Sequence, residues 1–459
     1  MREKLRMRWR QYQRNLKKDN TLRVTVGVFL AMILVGTLLL LLPIASRDGR
    51  SCGFMTALFT ATSATCVTGL ILVDTWTQWT GFGQTVIILM IQIGGLGFMS
   101  CVYFALLLLR RRMGMRQRMI LAQSLNLQNL DGMRILLRRV LLGTAILEGG
   151  GAVILTARFC VDYPFPQALV RGVFHAVSAF CNAGFDLLGN QRPFGSMAPY
   201  ATDPIVMLTL SILIVAGGLG FFVWDDIVRA RRFSKLSVYS RLVLTSTAAL
   251  LLGGTVLTLT LEWSNPATLG TMRPAQKLLA AFFQSVTLRT AGFAAIDQAA
   301  LTESSKLLSC LIMLVGGSSG STAGGIKTVT VTLLLISIWS AYRGRSRVVI
   351  RGRRIPSDQV ISALSITAMI SGLAILGGVI LALFNGLPLL DCLYEACSAI
   401  ATVGLTTGIT PQLNVVSHLL LICYMFFGRV GLMTISLAFL MRSNAEERIG
   451  YPETRLMIG

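Results

Sequence analysis

The chain has 459 residues, of which 54% are hydrophobic and only 14% charged, and its mean hydropathy is +0.68. Soluble domains carry about 25% charged residues, so this composition excludes an ordinary soluble domain and predicts an integral membrane protein. The formal net charge of +22 does not predict a nucleic-acid partner, because the lysines and arginines lie in short clusters without interleaved aromatic residues.

The basic clusters predict the topology. Of the 42 lysines and arginines, 31 lie in five short segments, 1–23, 110–139, 229–241, 343–354 and 442–459. Cytoplasmic loops of membrane proteins carry an excess of such residues, so both termini and three internal loops are predicted to be cytoplasmic. Each of the four blocks of chain between them must therefore leave and return, which requires an even number of crossings.

In chain order, a basic N-terminus (1–23) precedes four repeats, 24–109, 140–228, 242–342 and 355–441, and a cytoplasmic tail (442–459) follows them. Each repeat opens with an apolar run (24–42, 140–157, 242–261, 361–384) and closes with another (82–109, 205–224, 307–339, 415–440). The amphipathic stretch of about 12 residues between them is too short to span a bilayer, and that length suits a re-entrant segment. The prediction is an all-α membrane protein with eight spans and four half-helices.

The four blocks share one internal motif. A short string ending in glycine follows each half-helix, and the glycines are Gly69, Gly184, Gly292 and Gly404. Ten residues before each glycine stands an aromatic residue, and six before stands a serine, except for Val286 in the third block. One structural unit is therefore used four times. The residues of the four strings, three from each repeat, are Val67, Thr68, Gly69, Asn182, Ala183, Gly184, Thr290, Ala291, Gly292, Thr402, Val403 and Gly404.

Four such units predict a cation pore. Irregular backbone at membrane depth is tolerated only where protein buries it or where it lines a water-filled path. Glycine accepts positive φ, so consecutive carbonyls can turn toward one axis, and rings of carbonyl oxygens replace the hydration shell of an ion. The C-terminal end of each half-helix adds about half a negative charge there. The alternative is four tight turns that only pack helices together, which explains one glycine better than four in register.

A second glycine cluster follows in each closing run, at 94–97, 217–220, 316–319 and 428–431, where small residues let helices approach closely. In the third repeat the cluster continues as a polar tract, 316–325, with Lys327 just after it. As one helix, residues 307–339 would measure about 50 Å against a bilayer core of about 30 Å, so the helix is predicted to break at the tract. A phosphate loop is disfavoured, because Ile326 separates Gly325 from Lys327 and no strand precedes the tract.

The fourth repeat has Arg429 where the others have glycine. An arginine at mid-span costs at least about 2.5 kcal/mol, so a role in permeation is predicted, as a barrier to cations and an anchor for the polar tract. The alternative is a structural pairing with Glu148 or with loop carbonyls. A membrane enzyme is disfavoured, because the chain has two distant histidines and no paired carboxylates on one span.

The whole chain resembles the Trk/Ktr/HKT superfamily of cation transporters, and especially the bacterial Ktr-type potassium transporter membrane subunit. Three segments look like the filter segments of that family, 62–70 (TSATCVTGL), 289–293 (RTAGF) and 402–408 (TVGLTTG), and 316–327 (GGSSGSTAGGIK) resembles its intramembrane gating loop. The resemblance implies one pore with pseudo-fourfold symmetry, in which K⁺ binds at the filter residues. The predicted gating residues are Gly316, Gly317, Ser318, Ser319, Gly320, Ser321, Thr322, Ala323, Gly324, Gly325, Lys327 and Arg429.

The resemblance also implies the setting of the protein. It implies the bacterial inner (plasma) membrane, a homodimer in which the tail 451–459 packs at the interface, and a cytosolic nucleotide-binding ring of the RCK type. The basic loops 110–139 and 343–354 are candidates for contact with that ring, although binding of anionic lipid explains them equally well. No covalent cofactor is implied, and sodium dependence is left open. Serine in the first filter accompanies sodium selectivity in the family, so Gly69 favours potassium. The alternative is a sodium-selective or cation-coupled transporter of the same fold.

Overall fold

The computed structural model describes residues 26–97, 133–230, 232–345, 347–350 and 352–431. This part of the chain is helical apart from one short hairpin, in which Val349 pairs with Arg354. The helices are α1 (Val26–Leu41), α2 (Phe54–Cys66), α3 (Thr75–Gln78), α4 (Gly81–Leu96), α5 (Met133–Phe159), α6 (Phe165–Phe180), α7 (Pro204–Leu219), α8 (Phe221–Ala230), α9 (Val238–Glu262), α10 (Pro274–Thr287), α11 (Glu303–Leu314), α12 (Thr328–Tyr342), α13 (Ser357–Asn385), α14 (Leu389–Ile400) and α15 (Val415–Val430), and the strands are β1 (Val349–Ile350) and β2 (Arg353–Arg354).

Four short helices occupy equivalent places, one in each repeat. They are α2, α6, α10 and α14, with 13, 16, 14 and 12 residues. At about 1.5 Å per residue they measure about 18–24 Å, which is less than a bilayer core of about 30 Å. Prolines 164, 274 and 388 stand at the start of the last three, where a fixed φ and a missing N–H cost nothing. Both α6 and α14 pack against the long helix before them and against the helix after them.

The outer surface is apolar, as a bilayer requires. Ile146 on α5 is 70% exposed and Leu383 on α13 is 78% exposed. Patches of this kind are rare on soluble monomers. Among the described residues, α9, α13 and the part of α5 from Arg138 are long and apolar enough to cross a membrane, and the bent pair of α7 and α8 makes a fourth candidate. The described chain thus accounts for up to four of the eight predicted spans by length alone, and the full count stays a prediction.

The closing helices end earlier than the apolar runs suggest. The sequence predicts continuous apolar runs over 82–109, 205–224 and 415–440. The helices α4, α7 and α15 instead end next to Gly97, Gly220 and Gly431. The φ angles of these glycines are 79°, 88° and 90°. The chain turns by 94° between α7 and α8. Each glycine combines this φ with a ψ of 124–145°, a region essentially closed to side chains with a Cβ. The described closing helices of the other three repeats therefore end at the point equivalent to the break predicted for the third.

Candidate functional site

The backbone that follows each short helix has the same unusual conformation in all four repeats. Val67, Asn182, Thr290 and Thr402 have φ angles of 57°, 59°, 64° and 53°. Two residues later, glycines 69, 184, 292 and 404 have φ angles of 97°, 72°, 79° and 94°. Only two other non-glycine residues in the described chain have positive φ. A left-handed residue costs about 1–2 kcal/mol, so four in register indicate a shared purpose.

The four strings close into a ring. A Cβ built on Gly69 would lie 2.5 Å from the carbonyl oxygen of Ala183, and one on Gly184 would lie 2.8 Å from that of Ala291. A Cβ on Gly292 would lie 2.5 Å from the Val403 oxygen. The circle is completed by Gly404, whose added Cβ would collide with the Thr68 oxygen. Each glycine thus faces the carbonyl that precedes the glycine of the next repeat, with the fourth repeat returning to the first. Side chains larger than hydrogen would push these carbonyls apart.

Serines of the short helices hold the ring strings in place. The Oγ atoms of Ser63 and Ser398 each accept a hydrogen bond from the ring glycine of their own repeat, at 3.0 Å. The hydroxyl of Ser178 instead donates to the carbonyl of Phe185, at 2.8 Å. Val286 stands at the same position in the third repeat and cannot make such a bond. The serine pattern noted in the sequence therefore has a direct structural function in three repeats.

On one side of the ring lies a cavity of about 420 Å³, which we call the vestibule. Its wall includes all four ring glycines together with Asp186 and Asp297. The residues just after the glycines also line it, so it lies on the side from which the short helices start. A vestibule that carries two acidic side chains and opens onto the ring would suit the entry of a cation.

On the opposite side of the ring, the second glycine cluster packs against the ends of the short helices. A Cβ added to Gly94, Gly217 or Gly428 would collide with the carbonyl of Thr65, Phe180 or Ile400, respectively. Each of these carbonyls belongs to the residue two before the left-handed residue of the same repeat. Gly316 breaks the pattern, because its added Cβ would meet the carbonyl of Gly324. In the third repeat, the chain itself therefore fills the place next to Gly316.

The segment 315–327 joins α11 to α12 as an irregular loop. Two backbone hydrogen bonds close its neck, from Gly316 to Ile326 at 2.9 Å and from Ile326 to Leu314 at 3.0 Å. Two more tie the loop to the second repeat. The Ser318 amide donates to the Gly218 carbonyl at 3.0 Å, and the Phe221 amide donates to the Gly320 carbonyl at 3.0 Å. The loop therefore reaches across from the third repeat to the glycine turn between α7 and α8.

Thr322 connects this loop to the ring. Its side chain is fully buried. Its hydroxyl lies 3.1 Å from the carbonyl oxygen of Phe180 and 3.3 Å from Oδ1 of Asn182, the left-handed residue of the second repeat. Its amide donates to the Gly217 carbonyl at 3.2 Å. The loop thus contacts the base of the ring directly.

Arg429 joins three repeats through one guanidinium group. It donates hydrogen bonds to the carbonyls of Thr322 in the loop and of Gly94 and Gly95 at the end of α4, with 3.0 Å to the Gly95 oxygen. A planar guanidinium has five donors, so one arginine can satisfy several carbonyls at once. Glu148 makes a different contact, in which both of its oxygens accept from Gln92 at 3.1 Å. Arg429 is therefore paired with backbone carbonyls and not with Glu148.

The predicted site residues therefore come together from all four repeats. The ring strings lie between the vestibule and the loop, and Arg429 lies on the loop side. Lys327 caps the loop locally, because its ammonium donates to the Ala323 carbonyl at 2.8 Å. Sequence reasoning missed the direct contact of Thr322 with Asn182, which joins residues 140 positions apart and leaves no local pattern.

The chain is similar to known proteins over nearly its whole length. The family model described as TrkH, cation transport protein, matches residues 3–449. The potassium/sodium uptake protein NtpJ of Enterococcus hirae is 38% identical over 448 residues, which cover 96% of this chain and 98% of the relative. The Ktr system potassium uptake protein B of Bacillus subtilis is 38% identical over 436 residues, with 95% and 96% covered. The counterpart from Vibrio alginolyticus is 35% identical over 450 residues, with 97% of each chain covered.

A solved structure has the same fold. The potassium transporter TrkH from Vibrio parahaemolyticus superimposes with a TM-score of 0.68, covering 92% of this chain and 85% of that one. The two sequences are 19% identical, so this similarity bears on the fold alone.

Proposed function

Because this chain belongs to the TrkH family of cation transport proteins, we propose that it is the pore-forming subunit of a potassium uptake system. It is a membrane transporter and not an enzyme. In the proposed mechanism, K⁺ leaves the vestibule, gives up hydration water to the carbonyls of the four ring strings, and passes to the loop side. The short helices aim their carbonyl ends at the ring, so their dipoles favour a cation there.

The observation that carries this proposal is the closed contact of four glycines with four neighbouring carbonyls. A set of turns that only packs helices would not need each repeat to face the next in one cyclic order. Potassium is favoured as the ion because two relatives, each covered over at least 96% of its length, are named as potassium uptake proteins. The ring residues listed above are the proposed K⁺ ligands, through their backbone carbonyls.

We further propose that the loop 316–325 and Arg429 form the gate. The loop lies directly beneath the ring, and Arg429 fixes it to α4 and α15 through three carbonyls. Polar backbone at membrane depth needs such partners. If the hydrogen bonds of Arg429 break, the loop loses its link to the first and fourth repeats and can move out of the ion path.

The proposed assembly is a homodimer in the bacterial plasma membrane, with both termini cytoplasmic and a cytosolic nucleotide-binding ring as regulator. The hairpin of β1 and β2 carries exposed arginines, including Arg353 and Arg354, and is a proposed contact for that ring or for anionic lipid. The other candidate loop, 110–139, lies largely outside the described residues, and the tail 442–459 lies wholly outside them.

The test is cation flux into proteoliposomes that contain the purified protein. We expect K⁺ uptake, measured with and without a candidate cytosolic ring protein, and weak inhibition by equimolar Na⁺. Absence of K⁺ flux from folded protein under both conditions would contradict the proposal.

A sodium-selective or sodium-coupled transporter is the second candidate, since one relative is named a potassium/sodium uptake protein. The same vesicles separate the two functions. Uptake of Na⁺ that exceeds K⁺ uptake, or K⁺ uptake that stops without Na⁺, would favour the second candidate.

A further inference from the structure

One position on the short helices lies directly behind the ring. Nine residues before each ring glycine stand Thr60, His175, Phe283 and Glu395, and all four side chains are almost completely buried. In the second repeat, Nε2 of His175 accepts a hydrogen bond from the amide of Leu187 at 3.3 Å, three residues beyond the ring glycine. A side chain at this position can therefore hold the strand that leaves the ring.

Glu395 makes the corresponding contact in the fourth repeat. Its carboxylate has no exposed surface, and its Oε1 accepts from the hydroxyl of Thr410 at 3.1 Å and from the hydroxyl of Thr406. Thr406 stands two residues beyond Gly404. The two hydroxyls also lie 2.9 Å from each other. One oxygen of Glu395 therefore connects the extended segment after Gly404, through Thr406, to the turn that starts at Thr410.

The second oxygen, Oε2, is buried without a hydrogen-bond partner among the described residues. Burying a carboxylate is costly unless hydrogen bonds compensate it. Glu262 provides the contrast within the same chain. It is also fully buried, but both of its oxygens accept bonds, from Asn265, Thr268 and Thr302, at 2.7–3.0 Å. In Glu262 both oxygens make structural links, whereas in Glu395 a single oxygen holds both hydroxyls beside the ring.

We propose that Glu395 is a positioning residue for ion selectivity. Through the hydroxyls of Thr406 and Thr410 it fixes the strand after Gly404, and this strand sets the position of the Val403 and Gly404 carbonyls in the ring. The inference rests on the proposed potassium function. It concerns the acceptor oxygen, so a neutral side chain with the same oxygen should replace Glu395 and an apolar one should not.

The test compares Glu395→Leu, Glu395→Gln and the matched control Glu262→Leu in proteoliposomes. The readout is the K⁺-to-Na⁺ uptake ratio, together with thermal unfolding of each purified variant. We expect Glu395→Leu to lower the ratio about tenfold and Glu395→Gln to stay within about twofold of wild type, because the amide oxygen still accepts both hydroxyls. Glu262→Leu should lower the unfolding temperature and leave the ratio unchanged.

A wild-type protein without K⁺ uptake would contradict the proposed function itself. If wild type transports K⁺ and folded Glu395→Leu keeps its ratio, only the role of Glu395 is refuted. The role of Glu395 is also refuted if Glu395→Gln loses as much K⁺ selectivity as Glu395→Leu. It is refuted as well if Glu262→Leu loses as much K⁺ selectivity as Glu395→Leu. Should Glu395→Leu fail to fold, the double variant Thr406→Val and Thr410→Val removes the donors instead, and an unchanged ratio in that variant refutes the inference.

Discussion

Replacing Gly69 by serine should weaken the preference for potassium. The Cβ of the new side chain would stand 2.5 Å from the carbonyl oxygen of Ala183, whereas ordinary contacts begin at 3.4 Å. The oxygen, or the strand that carries it, must therefore move by about 0.9 Å. Gly69 also has a φ of 97°, and a left-handed conformation costs a residue with a Cβ about 1–2 kcal/mol. Both effects act on the ring itself.

We expect the K⁺-to-Na⁺ uptake ratio of Gly69→Ser to fall about tenfold, which corresponds to about 1.4 kcal/mol of lost discrimination. The assay is uptake of each ion into proteoliposomes under equal gradients, with the variant first shown to be folded. The ring must hold its carbonyls at a fixed separation to discriminate between ions, so a displaced oxygen should weaken that discrimination and admit Na⁺ more readily.

Gly386→Ser is the matched control for backbone strain. Gly386 has a φ of 65°, and an added Cβ would meet nothing within 4 Å. This variant should lose stability but keep the wild-type ratio. An unchanged ratio in folded Gly69→Ser would refute the assignment of the first repeat to the ring. An equal loss in both variants would show that general strain, and not the Ala183 contact, is responsible.

Two further predictions follow from the same geometry, and a third follows from the family resemblance. Gly404→Ala should impair K⁺ flux more than Gly184→Ala, because its Cβ meets the closest of the four carbonyls and that of Gly184 the most distant; the reverse order in a flux assay would contradict the ring contacts. Arg429→Ala and deletion of 318–323 should each raise K⁺ flux without a cytosolic partner, and the double variant should add little, since both remove one closed arrangement. Lower flux in both folded single variants would exclude the loop as a gate, and additive increases would separate it from Arg429. Removal of residues 452–459 should weaken the dimer in detergent, and a truncated protein that light scattering still finds dimeric would contradict that role of the tail.

The sequence by itself determined the repeated unit. The register of the ring glycines, the serines six residues before them and the polar tract in the third repeat are local features, and each has a local physical cause. Positive φ requires glycine or a tolerated left-handed residue, and a run of 33 residues is too long for one span. The chain's membership in a family of cation transport proteins agrees with what these residues predicted. Topology and the full number of spans stay predictions, because residues 98–132 and 432–459 lie outside the described part of the chain.

The tertiary structure decided how the units meet. The cyclic order, in which Gly404 returns to Thr68, joins residues more than 300 positions apart, and no periodicity encodes that pairing. The partner of Arg429 was likewise decided by the tertiary structure, because the sequence alone allowed either Glu148 or loop carbonyls. No sequence pattern pointed to Glu395, because a glutamate on a short amphipathic helix usually faces solvent. Only the packed short helix shows that its carboxylate is buried behind the ring, since burial is a property of the neighbours that cover a residue and not of the residue itself.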